Sequence, residues 1–223
     1  MTFSITARCA RTGQFGVAIS SSSPAVAARC AHARAGVGAV ATQNVTDPRL
    51  GPQALRLLAE GASAGEAVAI LGRVMPHPDY RQLLVVDGQG GAAIHSGAHA
   101  LGIWAEARGA DCAAGGNLLA NAEVPGAMVG AFAAAPGALA DRLLAALQGG
   151  LAAGGEAGPV RSAGLLVVDR ESWPYIDLRI DWADDPIGML AAAWAVYAPQ
   201  AEAYVTRALN PTAAPSYGVP GDE

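Results

Sequence analysis

The chain has 223 residues, a formal net charge of −5, and 52% hydrophobic against 15% charged residues. These values describe one ordered domain with a sizeable core and exclude a disordered or strongly basic chain. No Lys/Arg run offers a footprint for nucleic acid. Neither a signal-like start nor an apolar run of about eighteen residues marks a membrane segment, so a soluble cytoplasmic protein is expected. Cys9, Cys30 and Cys112 are odd in number and lack a CxxC spacing, so three reduced thiols are expected rather than a disulfide framework or a zinc knuckle.

The N-terminal stretch from Thr2 to Cys9 alternates with period two: Phe3, Ile5, Ala7 and Cys9 face one way, and Thr2, Ser4, Thr6 and Arg8 the other. It reads as a strand. A turn at Gly13 returns the chain through Phe15 to Ser21, ending in the serine run Ser20 to Ser23 before Pro24. Residues 35–43 read as a third, glycine-thinned strand with the polar end Gln43, Asn44 and Thr46. Two helices follow. Their apolar positions begin at Ala54 and at Ala67, and Ser63 with Glu66 forms a capping box between them.

A second hairpin spans Tyr80 to Val86 and Ala92 to Ser96, followed by short strands at Leu101 to Glu106 and Asp111 to Ala114. A second helix pair carries Val124, Met128 and Phe132, then Leu139, Leu143 and Leu147. The segment 154–161 reads as a flexible charged loop. Strands at Ser162 to Val168 and Trp173 to Ile180 precede a last helical region, interrupted near Pro199. Residues 1–209 are expected to form one domain and 210–223 a tail. Hairpins segregated from helix pairs argue against alternating βαβ units. The expected class is α+β: two stacked antiparallel sheets with helices outside, in preference to one sheet with an exposed face.

If Met1 is removed, Thr2 carries a free amine beside its own hydroxyl, a pairing that activates threonine as a nucleophile without a histidine partner. Asn117, after the Gly115-Gly116 pair, is the candidate oxyanion donor. Glu156 is a candidate to orient the amine or bind a cationic group, and Arg161 to bind a carboxylate, the alternative for both being solvated loop charges. Ser20, Gln43, Asn44 and His95 are the further candidate substrate-binding residues. His95 and His99 are separated by Gly97 on a non-helical stretch, so no metal site is expected, and no cofactor is called for. A serine hydrolase on Ser96 or Ser162 lacks a GxSxG elbow and ranks below. The non-enzymatic alternative is a binding or assembly protein. Exposed sheet edges and Ala-rich helical faces also make a homo-oligomer an expectation.

Thr2 at the start of a strand, the early hairpin, residues 36–43 and Gly116-Asn117-Leu118-Leu119-Ala120 resemble the DUF1028 family of the N-terminal nucleophile (Ntn) hydrolase superfamily. The resemblance extends to Gly51-Pro52, Tyr80-Arg81-Gln82, Val85-Val86-Asp87, His95-Ser96-Gly97, Gly154-Gly155, Ser162-Ala163, residues 165–168 and 177–181, and Asp185-Pro186, over about residues 2–200. It implies a four-layer αββα sandwich and amide hydrolysis by the N-terminal threonine of a small amide, ureido compound or short peptide. Glu156 stands where the family pattern has Asp, and Arg161 where it has Gln. The lysine pattern of proteasome-like members is absent, so proteolysis does not follow.

Overall fold

The structure, a computed structural model, describes residues 1–221. Strands β1 (Thr2–Arg8) and β2 (Phe15–Ser21) form the opening hairpin; α1 (Ala27–Cys30) then leads into β3 (Ala31–Arg34) and β4 (Gly38–Asn44). Helices α2 (Leu50–Ala59) and α3 (Ala64–Val74) precede β5 (Arg81–Asp87), β6 (Ala92–Ser96), β7 (Ala105–Gly109) and β8 (Cys112–Asn117). Next come α4 (Val124–Ala134), α5 (Leu139–Ala152), β9 (Ser162–Val168), β10 (Ile176–Ile180), α6 (Pro186–Tyr197) and α7 (Ala201–Leu209).

All strand pairs are antiparallel. One sheet has the order β10-β9-β2-β1-β8-β7 and the other β3-β4-β5-β6. The fold is therefore α+β, two antiparallel sheets flanked by helices in a sandwich-like arrangement, with α4 and α5 on the first sheet and α2 and α3 on the second. The period-two reading of β1 explains the layering. Phe3, Ile5, Ala7 and Cys9 enter one core with Met128, Phe132, Leu143 and Leu147 of α4 and α5. A second core joins Val40, Leu83 and Val85 to Leu50, Leu55 and Leu71 of α2 and α3.

Between the sheets the packing changes character along the strands. At one end, Phe15, Val17, Ala39, Ala41, Leu84, Val86 and Ala113 form an apolar layer. At the other, the buried polar side chains Ser4, Gln43, Gln82 and Asn117 satisfy one another. Burying an amide without a partner costs roughly 1–3 kcal/mol, so this end holds together only as a complete network. Ser4 Oγ donates to Gln43 Oε1 at 2.6 Å, and Gln43 Nε2 donates to Gln82 Oε1 at 2.8 Å and to the Gly115 carbonyl at 3.1 Å. Gln82 Nε2 reaches Ser96 Oγ at 3.0 Å and the Gly116 carbonyl at 3.2 Å.

Several boundaries differ from the sequence expectation. Helix α1 and strand β3 occupy 27–34, a stretch of Ala, Arg, Cys and His without clear alternation. The strand expected at Leu101 to Glu106 begins only at Ala105. Upstream of it Gly102 takes a positive φ of 59°, and the Leu101 and Ile103 carbonyls accept the N–H groups of Leu118 and Leu119 instead of continuing a ladder. Likewise Gly115-Gly116-Asn117, read as lying beyond a strand, forms the end of β8. The Ser63–Glu66 capping box is present. Residues 210–221 contain a short 3-10 turn, Pro211–Ala213, and a bridge residue at Val219; positions 222 and 223 of the expected tail lie outside the described residues.

Helix α2 approaches β3 closely because Gly51 has no side chain: a Cβ there lies 2.1 Å from Cδ2 of His32. Gly51→Ala is expected to force the helix off the sheet and to cost about 1–3 kcal/mol. A lower urea midpoint at unchanged m-value is the measurement that checks it.

Candidate active site

Thr2 is the first residue of β1 and pairs with Asn117, the last residue of β8. Directly paired residues project to the same face. Here that face is the inter-sheet side, where Asn117 Nδ2 donates to Gln82 Oε1 at 3.3 Å. The rigid pairing therefore sets the threonine hydroxyl and the asparagine amide side by side at one end of the sandwich. Thr2 is 6% exposed with Met1 in place.

The hairpin register brings a third side chain to the same place. Phe3 faces Ser20, so the next position along places Ser21 opposite Thr2, and Thr2 Oγ1 lies 3.2 Å from Ser21 Oγ. Ser21 Oγ in turn lies 2.8 Å from Ser23 Oγ, which accepts from Arg29 Nη2 at 2.9 Å. Ser162 holds this serine turn from the neighbouring strand, donating to the Ser23 carbonyl at 2.6 Å and accepting from Val26 N at 3.2 Å. Both Thr2 Oγ1 and Ser21 Oγ donate to the Met1 carbonyl.

Glu156 completes the cluster from the loop after α5. That segment is not the flexible charged loop expected: Leu119 and Glu156 form an antiparallel bridge, Ala120 N donates to the Gly155 carbonyl at 3.0 Å, and Ala157 N to the Leu118 carbonyl at 3.0 Å. Gly154 and Gly155 supply the bend with φ of 121° and 59°, a region glycine enters without steric cost. The Glu156 carboxylate is 5% exposed, and both of its oxygens accept Ser22 N at 3.1 Å. Burial pushes its pKa up to about 7, against the opposing pull of the N-terminal ammonium and of the Ser22 hydrogen bonds.

The other expected residues fall in different places. Ser20 projects toward the helix layer with Phe3, and its hydroxyl is spent on the Ser162 carbonyl at 3.0 Å. Gln43 is fully buried and committed to the amide network, one layer below Thr2. Asn44 takes a φ of 71° and ties two loops, donating to the Tyr80 carbonyl at 2.7 Å and accepting from Leu101 N at 3.1 Å. His95 pairs with Leu83 on the α2/α3 side of its sheet, and its Nε2 meets the Pro78 carbonyl at 2.9 Å. Arg161 donates its backbone N–H to the Ser21 carbonyl at 2.8 Å, while its guanidinium pairs with Asp184.

Thr2, Asn117 and Glu156 are thus brought together, with Arg161 beside them through its backbone; Ser20, Asn44 and His95 are directed elsewhere. Ser21, Ser22 and Gln82 are the residues the sequence reading did not assign. Ser21 was recoverable in principle, because a hairpin closed by the bonds Cys9 N to Gln14 O and Gly13 N to Cys9 O fixes which serine faces Thr2. The three cysteines are buried and free. Among the described residues no group of three or more His, Cys, Asp or Glu is placed to hold a metal ion, and no helix is long and apolar enough to cross a membrane.

A carboxyl whose folded pKa lies above its unfolded value near 4.5 binds more protons when folded. Glu156 therefore stabilises the fold below pH 4.5 relative to neutral pH, and that contribution is lost as pH rises through about 7. Glu156→Gln is expected to remove this loss, so the stability of the variant relative to wild type rises across the window by up to roughly 3 kcal/mol. Urea titrations of both proteins at several pH values between these limits check the sign.

Comparison with known proteins adds a family and no activity. The model of the family of unknown function DUF1028 matches residues 2–190. A crystal structure of a DUF1028 protein from Silicibacter pomeroyi is 32% identical, covers 88% of each chain and superposes with a TM-score of 0.82. Anbu (ancestral beta-subunit) from Yersinia bercovieri is 14% identical over 91% of this chain and 97% of its own, at a TM-score of 0.40, too low for any correspondence of sites. No curated protein matches significantly. With a family model spanning most of its length and a solved relative sharing its fold, the chain belongs to the DUF1028 family.

Proposed function

We propose that the chain, once Met1 is absent, is an N-terminal-threonine amidohydrolase on an Ntn-hydrolase-type αββα fold, acting on a small amide, ureido compound or short peptide. The observation that carries this reading is the pairing of Thr2 with Asn117 at the ends of β1 and β8, with the buried Glu156 carboxylate held on the N–H of Ser22, next to Ser21. In this reading the Thr2 hydroxyl attacks the amide carbonyl and its proton passes to the Thr2 amine, directly or through a water. Asn117 donates to the developing oxyanion through the N–H not engaged by Gln82. The amine then protonates the leaving nitrogen, and water hydrolyses the acyl ester on Thr2 Oγ1.

Glu156 serves as an orienting carboxylate for the amine. Ser21, in contact with the nucleophile, is a further positioning residue in this scheme. A homo-oligomeric state and a cytoplasmic location belong to the same proposal. The burial of Thr2 beneath Met1 favours a second reading, a non-catalytic binding or assembly protein, for any chain that keeps Met1, because its Thr2 nitrogen is an amide and no base.

Intact mass of untagged protein separates the two at the first step, since full retention of Met1 overturns the threonine mechanism. On Met1-free protein, a panel of small amides, ureido compounds and short peptides is expected to be turned over by wild type and not by Thr2→Ala. Asn117→Ala is expected to lower kcat by about a hundredfold to a thousandfold. Equal turnover in wild type and Thr2→Ala, or none in either, refutes the assignment.

A further inference from the structure

Two hydroxyls, those of Ser23 and Ser21, lie between the Arg29 guanidinium and Thr2 Oγ1. The guanidinium is held on the serine turn by the Pro24 and Ala25 carbonyls, which accept from Nη1 at 2.7 and 3.0 Å, while Nη2 donates to Ser23 Oγ at 2.9 Å. Ser23 Oγ lies 2.8 Å from Ser21 Oγ, and Ser21 Oγ lies 3.2 Å from Thr2 Oγ1. A guanidinium only donates, whereas each hydroxyl has one proton and two lone pairs. Ser21 donates its proton to the Met1 carbonyl, so the proton in the 2.8 Å contact is that of Ser23. Ser23 N also donates to Ser21 Oγ, at 3.1 Å, which fills the second lone pair of Ser21. Every donor in the series therefore points toward Thr2.

With Met1 in place, Thr2 and Ser21 both give their protons to its carbonyl, and their mutual contact carries none. Without Met1 both protons are released, yet Ser21 has no lone pair left to accept from Thr2. The bond open between them runs from Ser21 to Thr2 Oγ1. We infer that Arg29, Ser23 and Ser21 form a one-way hydrogen-bond chain whose last proton is donated to the Thr2 hydroxyl oxygen of the Met1-free protein. Ser21 touches the reacting oxygen; Ser23 and Arg29 are positioning residues that act through it. Bonds aligned head to tail polarise one another, by about 10–30% per bond, and the strongest partner of such a donor is a charged oxygen.

This inference deepens the amidohydrolase reading and rests on it for its catalytic meaning. In that reaction the Thr2 proton is kept off Ser21 and left for the amine. The oxygen that gives it up, and that later leaves the acyl carbon when water attacks, keeps a donor in both steps. Ser21 retains its own proton throughout, so the proton that moves passes from Thr2 Oγ1 to the amine and on to the leaving nitrogen.

The test replaces the nucleophile by a group whose ionisation can be followed without a substrate. In Met1-free Thr2→Cys, residue 2 is alkylated with iodoacetamide across a range of pH. The mass of the N-terminal peptide reports this thiol separately from Cys30 and Cys112, and the buried Cys9 is scored by fragmentation. Adding Ser21→Ala is expected to move the midpoint of the profile up by about one pH unit or more. Adding Ser23→Ala or Arg29→Met should produce part of that shift, and Arg29→Lys, which keeps a cationic donor, should fall between Arg29→Met and the parent. The Glu156 carboxylate and the amine of residue 2 act on the thiol in every variant, so the differences report the chain.

An unmoved midpoint in Ser21→Ala, or a shift there with none in Ser23→Ala, overturns the inference. Ser23→Ala leaves Arg29 on the Pro24 and Ala25 carbonyls, so it decides the matter even where Arg29→Met fails to fold. Stepwise thiol shifts without turnover of any amide by the Met1-free wild type leave the chain and remove the hydrolase. Turnover that depends on Thr2, with a midpoint unmoved by these substitutions, does the reverse.

Discussion

The pleat of β1 is the constraint on which the rest depends. A strand buried on both faces must offer each layer what that layer can satisfy. Phe3, Ile5 and Ala7 meet the leucine-rich face of α5, while Ser4 and Thr6 meet the second sheet. A slip of one residue would place hydroxyls among Leu143 and Leu147 and the Phe3 ring and Ile5 against the polar second sheet. Register is consequently fixed by both cores at once. The same parity leaves Thr2, at the strand's first position, on the inter-sheet side with Asn117. The position of the candidate nucleophile follows from packing seven residues long.

The polar end of the inter-sheet layer has the complementary role. Gln43 and Gln82 face each other across β4 and β5, and each also bonds to the first sheet through the Gly115 and Gly116 carbonyls. Such cross-sheet bonds hold the two layers at a defined spacing, which a slippery aliphatic contact does not do. On the opposite, helix-facing side of β8 a Cβ at Gly116 would sit 2.6 Å from Leu119 Cδ2, so that position admits no side chain. Asn117 inherits its orientation from this network through Gln82, so the candidate oxyanion donor rests on strands and not on a loop.

Much of the architecture was legible because its signals are local and periodic. The alternation in β1, the capping box at Ser63 and the leucine spacing of α5 each determine an element without reference to its neighbours. What escaped was non-local. Residues 27–34 have side chains too small and mixed to show a period, and they become β3 only because β4 offers a pairing edge. A serine run does not announce which member faces inward; only the hairpin register sets Ser21, and not Ser20, opposite Thr2. His95 and Asn44 carry polar side chains near the right strands but on the wrong faces. Glu156 was picked out by its resemblance to a family position, and its burial could not be read from a glycine-rich segment that looks solvated.

Thr2 is buried, yet its hydroxyl contacts differ from those of the inner-face threonine Thr6. A structural threonine on an inner face closes its hydroxyl onto a fixed carbonyl within the sheet, as Thr6 does with Ala113 at 3.3 Å. Thr2 instead spends its hydroxyl on Met1 and on Ser21, and Met1 is the residue that removal would take away. Below it, the amide network is closed without Thr2: Ser4, Gln43, Gln82 and Asn117 bond to one another and to Gly115, Gly116 and Ser96. Losing Met1 would therefore release two hydroxyls while leaving the bonds of the supporting layer in place. A core position emptied in this way would leave unpaired groups in an apolar setting, at a cost of roughly 1–3 kcal/mol each. In the proposed hydrolase, water or a substrate carbonyl would have to replace what Met1 supplied, or that cost would fall on Thr2 and Ser21.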